Sequence, residues 1–377
     1  MKNIHLTAFI FMLFYQTAAF SQTTYSFSHN GINRTYILYI PEDKSAAKDF
    51  PLLLALHGFT QNGQTMMQLS GFNALAESHG FVVAYPYGVN TSWNVGVTGG
   101  STADDVGFLS VLIDSIAHKT SIDQNRVYAT GFSNGGFMSY RLACEVSTKF
   151  AAIASVAGTM AVATANACFA ERAVPVMHIH GTSDFIVPYN GNGSFLSVNA
   201  TMEYWNQQNG CPSEPVIFNY PDIVSEGSTV EASIWESCNE ESENRLLKII
   251  NGGHTWPGNV GSGGIGITNM DISASAEIWT FLSRFSLISP VVIPSFFDKQ
   301  QLTITPNPYS SGFLSVFCDA SLATLKITDI HGRLRISQPI NFTDGKAVFN
   351  PQMLEKGMYL ILLSTEKMQI TTKLIVL

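Results

Sequence analysis

The sequence predicts an α/β domain built on a mostly parallel sheet, followed by a small all-β sandwich. Three observations carry this. Five short runs are largely apolar without a helical or alternating period, and segments with helical spacing separate them. Strands apolar on both faces that alternate with helices form parallel sheets covered on both sides. A stretch without helical period, Ile288–Lys299, then contains Pro290 and Pro294, and beyond it short β-type runs recur between turn residues.

The elements follow in chain order. Lys2, the apolar run Leu6–Tyr15 and the small residues Ala19 and Ser21 around Phe20 read as a secretory signal peptide over 1–21. The apolar run is short of the ~20 residues a membrane span needs. The mature chain then starts near Gln22 and holds no further span. Residues 24–40 alternate polar and apolar around Asn30-Gly31, a hairpin signal that places an antiparallel pair at the sheet edge. The parallel strands are Pro51–Leu56, Phe81–Tyr85, Arg126–Thr130, Ala152–Val156 and Val174–Ile179. The helices between them are Met66–Ser78, Val106–Lys119, Gly136–Val146 and Val198–Gln208. This domain covers 22–288, a linker 289–300, and the sandwich 301–377. The sandwich runs are Leu302–Thr305, Phe313–Phe317, Ala323–Ile327, Ala347–Phe349, Met358–Leu363 and Ile370–Val376, with turns at Asn307-Pro308, His331-Gly332, Asp344-Gly345 and Lys356-Gly357.

Composition narrows the function. Charged residues are 13 % of the 377, about half the usual share of roughly 25 %. The surface is therefore rich in neutral polar groups, which suits life outside the cell beside neutral polymers. A net charge of −8 excludes a basic nucleic-acid footprint. Export permits disulfides. Cys144, Cys168, Cys211 and Cys238 lie in the large domain; sequence neighbours suggest Cys144–Cys168 and Cys211–Cys238, although four cysteines allow three pairings. Cys318 reads as a small core residue. No CxxC pair or His cluster suggests a metal, and no cofactor is expected.

The chemistry centres on Gly131-Phe132-Ser133-Asn134-Gly135, a G-x-S-x-G box. A strand runs into it and a helix leaves it, which lifts the serine hydroxyl above the sheet at a helix N-terminus. A serine hydroxyl needs a base to take its proton. In the α/β-hydrolase arrangement the chain order is Ser, then acid, then His. Asp184 follows the strand Val174–Ile179, at the carboxyl end where open α/β sheets place catalysis. His254 lies in a Gly- and Pro-flanked loop, Gly252 to Gly258. His57 comes too early for the order; one of His178 and His180 is expected to face the core; His79, His118 and His331 read as surface residues. Asp104-Asp105 is the rival acid, but it opens the helix Val106–Lys119 and reads first as a cap.

Charge that develops on the carbonyl oxygen needs preorganised donors. The amide of Asn134, next after the nucleophile, is one. The loop after the first parallel strand supplies the other, for which we choose the Phe59 amide. Trp93 and Trp256 are candidate flat platforms for substrate, with burial in the core as the alternative. The short stretch between Val156 and Val174 argues against a large lid.

Five motifs in order resemble the polyhydroxybutyrate depolymerase family of esterases: Leu56-His57-Gly58-Phe59-Thr60-Gln61, Ala103-Asp104-Asp105-Val106-Gly107-Phe108, Gly131-Phe132-Ser133-Asn134-Gly135-Gly136, His180-Gly181-Thr182-Ser183-Asp184 and Gly252-Gly253-His254-Thr255-Trp256-Pro257-Gly258. That family is similar to esterases acting on feruloyl and acetyl groups of xylan. The resemblance covers about residues 30–285. It implies Ser133 as nucleophile, His254 as base and Asp184 as acid. Phe59 departs from it, since a cysteine is common there. The tail resembles the C-terminal sorting domain of type IX secretion, through Thr305-Pro306-Asn307-Pro308, Asp329-Ile330-His331-Gly332-Arg333, Leu354-Glu355-Lys356-Gly357-Met358-Tyr359 and Thr372-Lys373-Leu374-Ile375. This implies that the type IX machinery is a partner and that the tail is removed on export.

The expectation is a secreted serine ester hydrolase working through an acyl-enzyme on an ester-bearing polymer, with feruloyl or acetyl esters of plant polysaccharide ahead of polyhydroxybutyrate. A non-catalytic polysaccharide-binding protein and a peptidase are the readings from other classes.

Overall fold

The computed structural model describes residues 22–42, 49–259, 261, 264–287, 303–317, 322–329, 333–351, 354–365 and 369–377. The signal peptide, the linker, Cys318 and His331 lie outside the described residues. The chain divides into two compact units, Met1–Ser289 and Pro290–Leu377.

In the first unit, β1 (Gln22–His29) and β2 (Ile32–Tyr39) form the expected hairpin. Asn30 and Gly31 both take positive φ, 50° and 77°, as a two-residue turn matched to strand twist requires. The parallel strands are β3 (Phe50–Leu56), β4 (Val82–Pro86), β5 (Ile122–Phe132), β6 (Ala152–Val156), β7 (Val176–Gly181) and β10 (Asn244–Ile250). Two antiparallel strands, β8 (Val216–Asn219) and β9 (Thr229–Trp235), extend the far edge. The order is β1-β2-β4-β3-β5-β6-β7-β10-β9-β8.

The helices are α1 (Gly63–Ser70), α2 (Phe72–His79), α3 (Asp105–Ala117), α4 (Asn134–Glu145), α5 (Val162–Ala167), α6 (Val198–Gln208) and α7 (Ala274–Leu282). They cover both faces of the sheet. Leu52, Leu54 and Leu56 of β3 join a core with Phe108, Leu112, Met138, Leu142 and Trp205 from α3, α4 and α6. Their alternates Leu53 and Ala55 join a second core with Met66, Phe72, Ile278 and Phe281 from α1, α2 and α7. Successive strand residues point to opposite faces, so a strand between two helical layers must be apolar throughout. That is why β3 reads as a continuous run.

Three details differ from the expectation. The helix predicted over Met66–Ser78 is two helices broken at Gly71, whose φ of 61° lets its amide cap Met67 and end α1. The antiparallel strands β8 and β9 went unpredicted because β9 interleaves Glu231 and Ser233 among its apolar residues. Helices α5 and α7 lie outside the predicted helices as well. Both large-domain disulfides pair sequence neighbours, Cys144–Cys168 and Cys211–Cys238. Among the described residues no helix is long and apolar enough to cross a membrane.

The second unit holds two antiparallel sheets. One is β11 (Thr303–Thr305), β12 (Leu314–Phe317) and β15 (Lys346–Phe349). The other runs β14 (Leu334–Asn341), β13 (Leu322–Asp329), β16 (Gly357–Ser364) and β17 (Gln369–Val376). Leu325, Ile327, Ile361, Leu363 and Leu374 meet Leu314, Val316 and Phe349 in one core. Strand β14 is the element the sequence hid. It is an edge strand, mostly exposed, and carries Pro339, which only an edge tolerates.

Candidate active site

Ser133 sits between β5 and α4 with φ 52° and ψ −116°. A side-chain residue at positive φ stores on the order of 1–3 kcal/mol of strain, so its surroundings must hold it. The Ser133 amide donates to Val156 O on β6 at 2.8 Å, and its carbonyl accepts from Phe137 N at 3.1 Å. The glycines of the box are required by crowding. A Cβ on Gly131 would lie 2.3 Å from the Gly135 backbone, and one on Gly135 would lie 2.1 Å from Leu56 O. The Ser133 side chain does not cap α4, which leaves its hydroxyl uncommitted to the helix.

The next strands along the sheet bring up an acid and a base. Strand β7 ends at Gly181 and turns into Asp184; β10 ends at Ile250 and leads into the loop that carries His254. His254 Nδ1 and Asp184 Oδ2 are 2.7 Å apart. The ring of His254 packs 4.9 Å from that of Phe132, the residue before Ser133. Asp184 Oδ1 accepts from the amides of Ile186 at 2.9 Å and Val187 at 2.8 Å. Burial works to raise the Asp184 pKa, but the His180 and His254 N–H groups overcome it and hold the carboxyl well below the usual range. The side chain is therefore an anion, aimed at the imidazole.

Asn134 and Phe59, whose amides are the candidate oxyanion donors, line the same cavity as Ser133. Asn134 is the first residue of α4, where a helix leaves its N–H groups without intrahelical acceptors and its dipole favours negative charge. In the turn after β3 the neighbouring amides are committed: Gly58 N donates to Gln61 Oε1, Thr60 N to Thr91 O and Gln61 N to Gly58 O. His57 braces this turn from inside. Its Nε2 accepts from Gly88 N at 2.8 Å, so Nδ1 carries the proton and donates to Gly58 O at 2.7 Å. Burial lowers the His57 pKa to about 4, which keeps that neutral tautomer.

The two tryptophans are corrected by the structure. Trp93 and Trp256 are 0 % and 1 % exposed, so neither offers a face to substrate. Trp93 Nε1 donates to His57 O at 2.9 Å, and the Trp93 amide donates to Asn134 Oδ1 at 2.6 Å. Trp256 Nε1 donates to Ser275 Oγ at 3.0 Å. The alternative weighed for them, burial in the core, is what the fold uses. Phe59, 52 % exposed, is an exposed aromatic that lines the cavity at Ser133. With Phe137, Ile186, Val187 and Phe195 it lines an apolar cavity of about 230 Å³ that opens on Ser133 and Asn134. A larger groove of about 560 Å³ lies between α6 and the β9–β10 edge, near Trp235 and Leu246. It borders none of Ser133, Asp184 or His254, so the smaller cavity is the one next to the chemistry.

Residues 34–192 match the family model described as esterase PHB depolymerase, a span that takes in Ser133 and Asp184 and ends before His254. A putative esterase of Nocardia uniformis subsp. tsuyamanensis is 30 % identical over 60 % of this chain and 72 % of its own length. The chain belongs to the PHB depolymerase esterase family. A bifunctional acetylxylan esterase/xylanase of Neocallimastix patriciarum is 30 % identical over 69 % of this chain and 35 % of its own length. A feruloyl esterase B of Piromyces equi is 30 % identical over 67 % of this chain and 46 % of its own. The chain thus spans about a third and about half of these two relatives. Residues 303–377 match the model described as secretion system C-terminal sorting domain.

Within this esterase family member, some residues weighed in the sequence take roles beyond those read there. His178 and His180 are both buried, where one was expected to face the core; their spacing of two puts them on the same face of β7, a signal that was available. Asp104 caps α3 by accepting from Gly107 N at 2.9 Å, as expected. Asp105 is a buried partner of Arg34 at 2.6 Å and accepts from Asn94 N at 2.7 Å. It therefore fixes the loop that carries Trp93.

Proposed function

We propose that this protein is a secreted serine carboxylic ester hydrolase whose acyl group enters the cavity beside Phe59. The observation that carries the reading is the strained Ser133 elbow together with a hydrogen-bonded His254–Asp184 pair, each following the carboxyl end of an interior strand of the sheet. Ser133 Oγ attacks the ester carbonyl carbon as its proton passes to His254 Nε2, and Asp184 stabilises the imidazolium. The Phe59 and Asn134 amides bind the oxyanion. The carbon–oxygen bond to the alcohol then breaks, and His254 gives its proton to the leaving oxygen. Water attacks the acyl-enzyme by the same route and releases the acid and Ser133.

Cavity size and lining support a planar aromatic acyl group. Aromatic and branched aliphatic side chains reward burial of an aryl ring at roughly 25 cal/mol per Å², and an acetyl group would leave most of the space unfilled. We therefore place feruloyl-type esters of plant polysaccharide first. The exposed apolar rim of Phe59, Phe185 and Ile186 favours the second reading, a water-insoluble polyester such as polyhydroxybutyrate. The sorting-domain match and the two disulfides support a site of action outside the cell, reached with type IX machinery as partner.

Ser133→Ala is expected to lower turnover of methyl ferulate by at least about 10⁴-fold with the fold retained. Unchanged turnover would end the acyl-enzyme reading. Comparing methyl ferulate, acetylated xylan and polyhydroxybutyrate film ranks the substrates, and a preference for acetylated xylan would overturn the aromatic assignment.

A further inference from the structure

Behind Asp184, away from the cavity, lies a buried row of three polar side chains that the mechanism above leaves unused. Tyr140 of α4 and His178 and His180 of β7 are all buried. Tyr140 Oη and His178 Nδ1 are 2.7 Å apart, and His178 Nε2 and His180 Nδ1 are 3.1 Å apart. His180 Nε2 reaches Val187 O at 2.8 Å and stands 3.3 Å from Asp184 Oδ2. The two imidazoles stack with centroids 5.1 Å apart.

The proton positions follow from the fixed end of the row. A carbonyl oxygen only accepts, so His180 Nε2 carries a proton. Its Nδ1 then accepts from His178 Nε2–H, and His178 Nδ1 accepts from the Tyr140 hydroxyl. Burial supports this arrangement: it pushes the His178 pKa well below the ordinary value, helped by His180, and pushes the Tyr140 hydroxyl well above its own. Every N–H and O–H in the row therefore points toward Asp184.

The row ends on a clamp. The Val187 amide donates to Asp184 Oδ1, while the Val187 carbonyl is held by His180. One residue, Val187, thus links His180 to one carboxylate oxygen, and the His180 N–H faces the other, the same oxygen that His254 uses. We propose that His180 is a positioning residue for Asp184, with Tyr140 and His178 fixing its tautomer. This rests on the serine esterase reading above. The groups packed around His180 are Tyr189, edge-on at 6.0 Å, and the Lys248–Glu231 ion pair on β10 and β9, where Lys248 lies in register with His180.

The test uses the full chain, with active sites counted by the burst of 4-nitrophenol from 4-nitrophenyl acetate so that misfolded protein does not enter kcat. For His180→Phe, which cannot donate, the expected kcat per site falls about 10- to 100-fold with KM within about twofold. The acid limb of the kcat/KM profile moves to higher pH, because Oδ2 loses a facing N–H and holds the His254 cation more strongly. His180→Gln, which can donate, recovers part of the rate. Tyr140→Phe removes only the distal hydroxyl; it is expected to lower kcat a few-fold with a smaller shift of the limb in the same direction, and it decides the matter should His180→Phe fail to fold. A per-site kcat and an acid limb like those of the wild type in the folded variants would reduce the row to a packing role and overturn the proposal. Failure of the underlying reading looks different: Ser133→Ala would then keep full activity whatever His180 does.

Discussion

The two flanks of Ser133 are held in different ways. On the acid flank, side chain meets side chain: Asp184 faces His254 and His180, and two amides pin its other oxygen. On the proposed oxyanion flank the candidate groups are the Phe59 and Asn134 backbone amides, and buried side chains that do not line the cavity hold that backbone. His57 ties the turn after β3 to Gly88; Trp93 links His57 to Asn134; Asp105 with Arg34 fixes the loop behind them. A charge that must move with the reaction is carried on a side chain. A charge receptor that must stay still is built from the chain itself. The first arrangement is exposed to single-atom changes, and the second to loss of packing.

Substitutions can separate the two flanks. The largest effect belongs to the acid. Asp184→Asn keeps the shape but loses the anion, and kcat on methyl ferulate is expected to fall by about 10⁴-fold, the scale known for triads of this kind, with KM little changed. A fall of less than tenfold would show that His254 works without its partner.

The next effect is on stability and depends on pH. In the unfolded chain a histidine takes its proton below about 6.5, whereas folded His57 takes one only near pH 4. The stability that its neutral form contributes is therefore whole above pH ~6.5 and is lost as pH falls from there through about 4, by roughly 3 kcal/mol in total. Asp184 is depressed from an ordinary carboxylate value, so its contribution is whole above pH ~4 and is lost only below that. The two buried histidines, His57 on one flank and His178 behind Asp184 on the other, should therefore give way before the Asp184 carboxylate on acidification. Urea unfolding between pH 7 and 4.5 checks this: His57→Gln is expected to flatten the slope over that range, and an unchanged slope would remove His57 from the account. The smallest effect falls at the cavity mouth. Phe59→Ala is expected to raise KM for methyl ferulate a few-fold with stability within about 0.5 kcal/mol of the parent, since the side chain is mostly in water.

The parallel strands were legible because burial on both faces leaves no room for charged residues in β3, β4 or β6. The catalytic candidates were legible because Ser133, Asp184 and His254 each follow a strand of that sheet, so chain order and position agree. What stayed hidden follows the same physics. Strands β8, β9 and β14 lie at or near sheet edges, where one face or one side meets water and the apolar run breaks up. Trp93 and Trp256 stand beside the site in sequence, yet their N–H groups find His57 O and Ser275 Oγ inside the protein; nothing in a local Gly- or Ser-rich context distinguishes a platform from a strut. The Tyr140–His178–His180 row needed α4 laid against β7, a contact that joins residues 38 apart.

The disulfides have one more consequence. Both close short loops, between residues 24 and 27 apart, each removing roughly 3 kcal/mol of unfolded-chain freedom. Both lie wholly within the first unit, and neither reaches past Cys238. A protease that cuts between the two units therefore meets no second covalent tether among the described residues. Such a cut would leave both disulfides intact in the first unit.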